Sequence, residues 1–367
     1  MNDLAIVYDW MDKWGGVERL LLTLHEMYPD APFYTAHHGR GARWASGIRV
    51  TPSFMQKLPD FMLRSRLLSL PFYPYAFESF DFSSYRTVLS VTSSFGKGVL
   101  TKPGTRHISY ILTPTRYLWS GKDSYKTGVI TRLGVAVYGK RLREWDYIAA
   151  ARPDEILTLS QAVRSRIQRY YRRESTVVYP PFDTDYWTDI ETAIGSHNPE
   201  RSYYLIVSRL EPYKSIHTAV EAMTAFPGER LVIVGAGSQL RRLRSIAGPN
   251  VEFAGTVDDV QLGKYYKGAK AILMPQEEDF GYTSLEAQFF GCPVIAYNRG
   301  GAAETVEDGK TGLLYDNPTP EGLKNTLEIF HTVSYNITTG LQKRPKLLLN
   351  RFEKRSFVRT IRDILKH

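Results

Sequence analysis

Three observations predict an α/β protein built as two parallel-sheet domains. Short β-rich runs alternate with helix-length segments throughout, the chain is 367 residues long, and a polar break near residue 190 separates two series of runs. In the first series, residues 4–8, 87–91, 107–112, 155–159 and 176–179 read as strands. In the second, 203–207, 230–234, 251–253, 271–274, 293–296 and 312–315 do so with a cleaner rhythm. Each pair of runs in the second series is separated by a helix-length segment, the rhythm of parallel α/β layers. The second half is therefore Rossmann-like by pattern.

The break contains Tyr179-Pro-Pro-Phe-Asp-Thr-Asp-Tyr-Trp, then a polar stretch with Gly195, Ser196, Asn198 and Pro199. The expected boundaries are a first domain at 1–187, a linker at 188–201, a second domain at 202–345, and a basic amphipathic C-terminal helix at 346–367. That helix is free to pack back on the first domain.

Composition narrows the class. The single Cys292 makes no intramolecular disulfide, and with eight scattered His residues it forms no structural zinc framework. The N-terminus lacks the basic start and long apolar stretch of a signal peptide, and residues 54–77, the greasiest region, are broken by Lys57, Asp60, Arg64 and Arg66. A cytoplasmic chain that does not span a membrane is expected. Net charge is +9, and it is uneven: residues 1–185 carry 25 Lys and Arg against 17 Asp and Glu, the remainder 22 against 21. A basic first domain fits an anionic partner, a lipid phosphate or nucleic acid, as well as an ordinary solvated surface.

The strongest local signal starts at Pro275-Gln-Glu-Glu-Asp-Phe-Gly-Tyr-Thr-Ser-Leu-Glu. A strand ending at Met274 carries Glu278 to its C-terminal edge, Gly281 permits close backbone approach, and a helix from about Thr283 holds Glu286. Unpaired N–H groups at a helix start favour phosphate, and carboxylates beside them suit sugar or ribose hydroxyls. The plainer account is that Glu286 complements the helix dipole and Gly281 makes a turn. A second segment, Val207-Ser-Arg-Leu-Glu-Pro-Tyr-Lys, sets Arg209 and Lys214 on a strand-to-helix loop, where two cations can neutralise a phosphate. Val234-Gly-Ala-Gly-Ser-Gln-Leu looks like a dinucleotide fingerprint but has Leu240 at the third glycine position, so it reads as a tight turn rather than an NAD site. Near the N-terminus, Gly15-Gly16-Val17-Glu18 lies between the opening strand and a helix.

These segments together resemble retaining GT-B glycosyltransferases of family 4, the group 1 enzymes. The first is similar to their Glu-x7-Glu signature and continues in register through Tyr297-Asn-Arg-Gly-Gly-Ala-Ala-Glu; the second resembles their Gly-Arg-Leu-x-x-x-Lys motif, with Ser208 where Gly is usual. The resemblance implies two Rossmann-like domains facing across a cleft, a nucleotide-sugar donor held mainly by the second, and a saccharide acceptor held by the first. It implies catalytic roles for Arg209, Lys214 and Glu278, with Arg209 and Lys214 on the donor diphosphate, Glu278 on the sugar and Glu286 on the ribose. Further donor contacts are implied at Gly15, Gly16, Thr256, Val257, Phe280, Gly281 and Tyr282. No cofactor and no metal are implied, the nucleotide sugar being substrate.

Ser109-Tyr-Ile-Leu-Thr-Pro-Thr-Arg-Tyr-Leu-Trp resembles a stretch of bacterial mannosyltransferases that build polysaccharides and O-antigen, with Leu112 in place of their His. That subgroup implies GDP-mannose as favoured donor, a UDP-sugar as its alternative, and a lipid-linked saccharide acceptor. Leu112 leaves open a 6-deoxy or pentose donor, or an inactive nucleotide-sugar-binding homologue. Residues 54–77 mix Phe61, Met62, Leu63, Leu67, Leu68 and Leu70 with cations, as a segment lying in an anionic membrane interface or packed over the first domain would. A nucleic-acid-binding protein accounts for the charge but leaves the paired carboxylates idle, so no nucleic acid partner is expected. An epimerase or phosphorylase of similar architecture is the rival enzyme. Asp183-Thr-Asp185 has a metal-nucleotide form but sits at the break, where a metal role is not expected.

Overall fold

The computed structural model describes residues 2–39, 41–119, 129–195, 199–343 and 347–366, arranged in two compact units. One comprises Met1–Pro181 with Phe357–His367, the other Phe182–Ser356.

The first unit holds seven parallel strands: β1 (Asn2–Tyr8), β2 (Phe33–Thr35), β3 (Val50–Pro52), β4 (Tyr85–Thr92), β5 (Arg106–Ile111), β6 (Glu155–Thr158) and β7 (Thr176–Val177), in the order β3-β2-β1-β4-β5-β6-β7. Central β1 is buried from Leu4 through Tyr8, which is why its run is apolar at every position. Strands β2 and β3 were not expected from the sequence. Three residues each are too few to show a period, and β3 ends in Pro52 at the sheet edge, where a missing N–H breaks no ladder.

Residues 54–78 form a series of short helical turns on this unit, ending in the helix Tyr73–Glu78. One side joins the core, with Tyr73 stacked on Phe95 at 4.8 Å and Met55, Ala76 and Phe77 buried. The other leaves Phe54, Phe61, Leu68 and Tyr75 exposed.

Two polar groups lie deep in the first unit. Asp146 accepts hydrogen bonds from Lys97 Nζ (2.6 Å), Thr115 Oγ1 (2.6 Å), Trp119 Nε1 (2.7 Å) and Tyr171 Oη (2.7 Å), and the Lys97–Asp146 side chains are each 1% exposed. Between β4 and β5, Ser90 Oγ lies 2.9 Å from His107 Nε2 and donates to Ser109 Oγ. Burial drives the His107 pKa down to about 3, because the charged imidazolium would lose its hydration.

The second unit holds β8 (Tyr203–Val207), β9 (Arg230–Val234), β10 (Val251–Gly255), β11 (Ala269–Met274), β12 (Val294–Tyr297) and β13 (Gly312–Tyr315), all parallel in the order β10-β9-β8-β11-β12-β13. The helix Pro320–Lys343 closes one face by burying Leu323, Leu327, Phe330, Ile337 and Leu341 at helical spacing. Each such side chain stabilises the fold by about 1.5–3 kcal/mol.

The stretch read as a linker is different in the structure. A helix, Thr184–Ile194, runs into residues 188–201 and belongs to the second unit, and the changeover falls between Pro181 and Phe182. Asp183 caps this helix by accepting the Tyr186 N–H at 3.0 Å and pairs with Lys354 at 2.7 Å, so the Asp-x-Asp form is here a helix start. Trp187 is fully buried, edge-on to Phe290 at 5.7 Å. At the other end of the chain the helix is Lys354–Lys366, shorter than 346–367, because Leu347–Phe352 is a separate 3-10 segment. From Phe357 onward it belongs to the first unit. There Phe357 meets Tyr110 edge-on and Arg106 Nη1 donates to the Ile364 carbonyl at 2.7 Å.

Candidate functional site in the second unit

In the order β10-β9-β8-β11-β12-β13, consecutive strands run outward from β8 on one side and from β11 on the other. The crevice above the carboxyl ends of β8 and β11 is thus the topological switch point, where open α/β sheets take ligands. The loops leaving those two strands carry the residues singled out by sequence.

After β8, the chain makes the 3-10 turn Pro212–Lys214 and enters the helix Ile216–Ala222 through Ser215, whose φ is +49°. Two glycines let this loop settle against the end of β9. A Cβ on Gly235 would lie 1.9 Å from the Ser208 carbonyl oxygen, and one on Gly237 2.4 Å from that of Leu210. The Gly-Ala-Gly turn is therefore a packing turn under the Arg209–Lys214 loop. Ser208 donates its backbone N–H to Val234 O at 3.0 Å and is absent from the positive-φ residues, so a side chain at this position is accommodated.

Arg209 is exposed, donates from Nη2 to Tyr213 Oη at 2.7 Å, and lies 5.9 Å from that ring's centre. Lys214 is buried. Its Nζ donates to Glu278 Oε1 and stands 5.3 Å over the Tyr213 ring. Glu278 Oε1 also accepts from Gln276 Nε2 at 2.9 Å. The side chains of Lys214 and Glu278 are 11% and 18% exposed, so the pair is recessed but open to solvent.

The loop after β11 is fixed by the next crossover. Gly301 N donates to Glu278 O at 2.8 Å, and a Cβ on Gly300 would come within 2.0 Å of that same oxygen. A Cβ on Gly301 would lie 2.1 Å from Phe280 O. Only glycine allows this approach, and Gly300 holds φ +67°. Gly281, at φ +86°, turns the chain into the helix Tyr282–Phe289. Phe280 is buried with its ring against Tyr282 and Phe352, while Tyr282 remains half-buried. Glu286 is buried on this helix and accepts from Tyr266 Oη at 2.8 Å.

Arg209, Lys214, Glu278 and Gly281 thus stand on the two loops flanking one crevice, with Tyr282 and Glu286 on the helix that follows the second loop. Thr256 and Val257 follow β10, two strands from β8. Gly15 and Gly16 lie in the first unit, where Gly16 opens the helix Gly16–Met27. A Cβ on Gly15 would sit 3.1 Å from Glu18 Oε2, and Glu18 Oε1 accepts from Tyr8 Oη at 3.0 Å. Burial pushes the Glu18 carboxyl pKa up and the Tyr8 hydroxyl well up. Leu112 is buried just past β5, its N–H on Thr92 O at 2.8 Å.

Sequence reasoning did not find Gln276, Tyr213 and Tyr266, the side chains that orient Glu278, Arg209 and Glu286. Gln276 and Tyr213 stand beside the residues they serve, but nothing in their spacing marks the contacts.

Residues 189–332 match the family model described as glycosyl transferases group 1. A GDP-mannose-dependent alpha-(1-6)-phosphatidylinositol monomannoside mannosyltransferase of Mycobacterium tuberculosis is 33% identical over 187 residues, 44% of this chain and 49% of the relative. A D-inositol 3-phosphate glycosyltransferase of Acidothermus cellulolyticus is 36% identical over 135 residues, 32% of this chain and 30% of the relative. The chain spans about half or less of the length of the curated relatives it matches. Among solved structures, sucrose-phosphate synthase from Thermosynechococcus elongatus superposes with a TM-score of 0.77 at 17% identity, covering 100% of this chain and 98% of that one. Anabaena HepE in complex with UDP-glucose gives 0.67 at 19% identity over 99% of both chains. The fold is GT-B, with a parallel Rossmann-like sheet in each unit.

Proposed function

Because residues 189–332 match the family model of the group 1 glycosyl transferases, we propose that the chain transfers a hexosyl unit, mannosyl in the first instance, from a nucleotide sugar to a lipid-linked saccharide. The observation that carries this reading is the Lys214–Glu278 pair at the β8/β11 crevice, with Glu286 buried on the helix that follows. The pair holds a cation and a carboxylate where a sugar diphosphate needs both. A diphosphate entering beside Lys214 exchanges the carboxylate for phosphate as the lysine's partner and frees Glu278 to accept from a sugar hydroxyl. Arg209, exposed on the same loop, adds the second cation. As the glycosidic bond breaks, charge grows on the leaving phosphate, and a site with both cations in place stabilises it without rearranging solvent. In this reading the leaving phosphate oxygen takes the proton of the acceptor hydroxyl, the anomeric configuration is retained, and the two side-chain cations supply the positive charge instead of a metal.

The donor base follows the relatives: GDP-mannose from the mycobacterial mannosyltransferase, with UDP-glucose, bound by Anabaena HepE, as the alternative. A thermal-shift panel of GDP-, UDP-, dTDP- and ADP-sugars on wild type and Glu286→Ala tests it. One nucleotide class should raise the wild-type Tm and leave the variant unmoved. A rise that persists in Glu286→Ala, or none with any donor in the presence of acceptor lipid, rejects the donor site.

Leu112 favours a second donor class. Leu112 stands where the similar mannosyltransferases have His, and an aliphatic side chain neither donates nor accepts a hydrogen bond, which supports a 6-deoxy sugar or pentose as donor. Leu112→His with unchanged donor preference and rate removes this reading. For the acceptor, the exposed Phe54, Phe61, Leu68 and Tyr75 lie in a segment that also contains Lys57, Arg64 and Arg66, a composition suited to an anionic membrane surface, here the inner face of the cytoplasmic membrane. Phe61→Glu combined with Tyr75→Glu should abolish co-sedimentation with anionic vesicles and spare neutral-buffer solubility.

A further inference from the structure

The first unit has its own topological switch point, between β1 and β4, and it is already filled. Tyr8 pairs with Val91 at the carboxyl ends of these strands, so the next residues, Asp9 and Thr92, stand over the crevice. Asp9 is 1% exposed. Its Oδ1 accepts from Thr92 Oγ1 (2.7 Å), Phe95 N (2.9 Å) and Gly96 N (2.7 Å), and its Oδ2 from Ser93 N (2.7 Å) and Ser93 Oγ (3.2 Å). Three backbone N–H groups and two hydroxyls therefore converge on one carboxylate.

The loop is shaped for an anion as well as satisfied by one. Thr92 Oγ1 also accepts from Ser94 N at 3.0 Å and from Gly96 N at 3.1 Å, curling the backbone so that its amides point inward. Gly96 permits the closest approach, since a Cβ there would sit 3.3 Å from Asp9 Oδ1 and 3.2 Å from Thr92 Cβ. A concavity of successive N–H groups at the carboxyl end of a parallel sheet is where α/β proteins hold phosphate.

We infer that residues 92–96 form an anion-binding loop whose occupant is the chain's own Asp9 carboxylate, and that this internal anion excludes phosphate from that loop. The inference concerns the first unit alone and does not depend on the donor reading of the second. An aspartate that merely ties a loop to a strand and an aspartate filling an anion site differ in one respect: only the second can be replaced by a free anion.

Thermal unfolding of the full chain carrying Asp9→Ala, in sodium formate and in sodium phosphate against sodium chloride at equal ionic strength, separates them. In chloride the variant should lose about 10 °C in Tm, since several buried donors are left without an acceptor. Formate or phosphate should recover a large share of that loss with a saturable concentration dependence, while the wild type responds to none of the three salts beyond ionic strength. Equal behaviour of the variant in all three salts overturns the inference. Where Asp9→Ala does not fold in chloride, refolding in formate should recover it, and failure to do so counts against the inference in the same way. A second measurement uses the wild type only. The amide resonances of Ser93, Phe95 and Gly96 should not move on titration with inorganic phosphate, and a saturable shift would show that the loop still takes an external anion.

Discussion

The two units share the order in which strands leave the centre of the sheet, β3-β2-β1-β4 in one and β10-β9-β8-β11 in the other, yet their crevices are finished in opposite ways. In the first, a carboxylate from β1's end consumes five donors of the facing loop and is sealed from water. One residue beyond that loop, Lys97 forms an ion pair with Asp146, both side chains 1% exposed. In the second, Lys214 and Glu278 face each other across the crevice and stay partly solvated, with exposed Arg209 on the same loop. One topology thus supplies either a closed structural joint or an open site. The choice rests on whether the charges at the strand ends are satisfied by backbone or held against each other.

The largest effect should come from the sealed side. Lys97→Met leaves Asp146 charged and buried with only neutral donors, which should cost about 3–5 kcal/mol in urea unfolding. Donor-induced stabilisation of the second unit should survive in that variant at temperatures where it remains folded. Lys214→Ala should do the reverse. Turnover is expected to fall about 10²–10³-fold, the loss seen when one preorganised group on a developing anion is removed. Stability should change by only about 1 kcal/mol, because Glu278 keeps water and the Gln276 amide. Should Lys214→Ala destabilise as strongly as Lys97→Met while turnover is retained, the contrast between a site and a joint disappears.

A smaller effect sharpens the same contrast through pH. The folded His107 pKa, about 3, lies below the value near 6.5 of an unfolded chain, so the unfolded state binds the extra proton first on acidification. The contribution of the neutral imidazole is complete above about pH 6.5 and is lost progressively as pH falls toward 3. At pH 5 the first unit should be weaker by about 2 kcal/mol from this group. Urea unfolding at pH 7 and pH 5, compared between wild type and His107→Phe, reads it. An equal pH dependence in both proteins would remove His107 as the cause.

Much of the candidate site is legible in the amino-acid order alone. The spacing of Glu278 and Glu286 around Gly281, and of Arg209 and Lys214 after a strand, places Arg209, Lys214 and Glu278 on loops leaving parallel strands and Glu286 on the helix after one of them, and all six strands of the second unit are readable as short β-rich runs. Strands β2 and β3 are not, because three residues carry no period. The helix Thr184–Ile194 is hidden for another reason. Its first turns are rich in Thr and Asp, weak formers in isolation, and it is held by burial of Trp187 against Phe290, about a hundred residues later in the chain. The capping signal at Asp183 is present but shares its form with a metal motif, and only the Tyr186 N–H and Lys354 contacts tell the two apart.

By itself, then, the sequence determined which segments are buried strands, where loops at their carboxyl ends carry charge, and which glycines stand in those loops, since each of these follows from the period and type of neighbouring residues. Tertiary structure alone decided what each charge meets. Asp9 finds Ser93, Phe95 and Gly96 because β1 lies between β2 and β4, so that a strand more than seventy residues later in the chain is its direct neighbour. Lys214 finds Glu278, sixty-four residues away, because β8 lies beside β11. A crossover brings such partners together without leaving a periodicity in the residues between them, so no local pattern records the pairing.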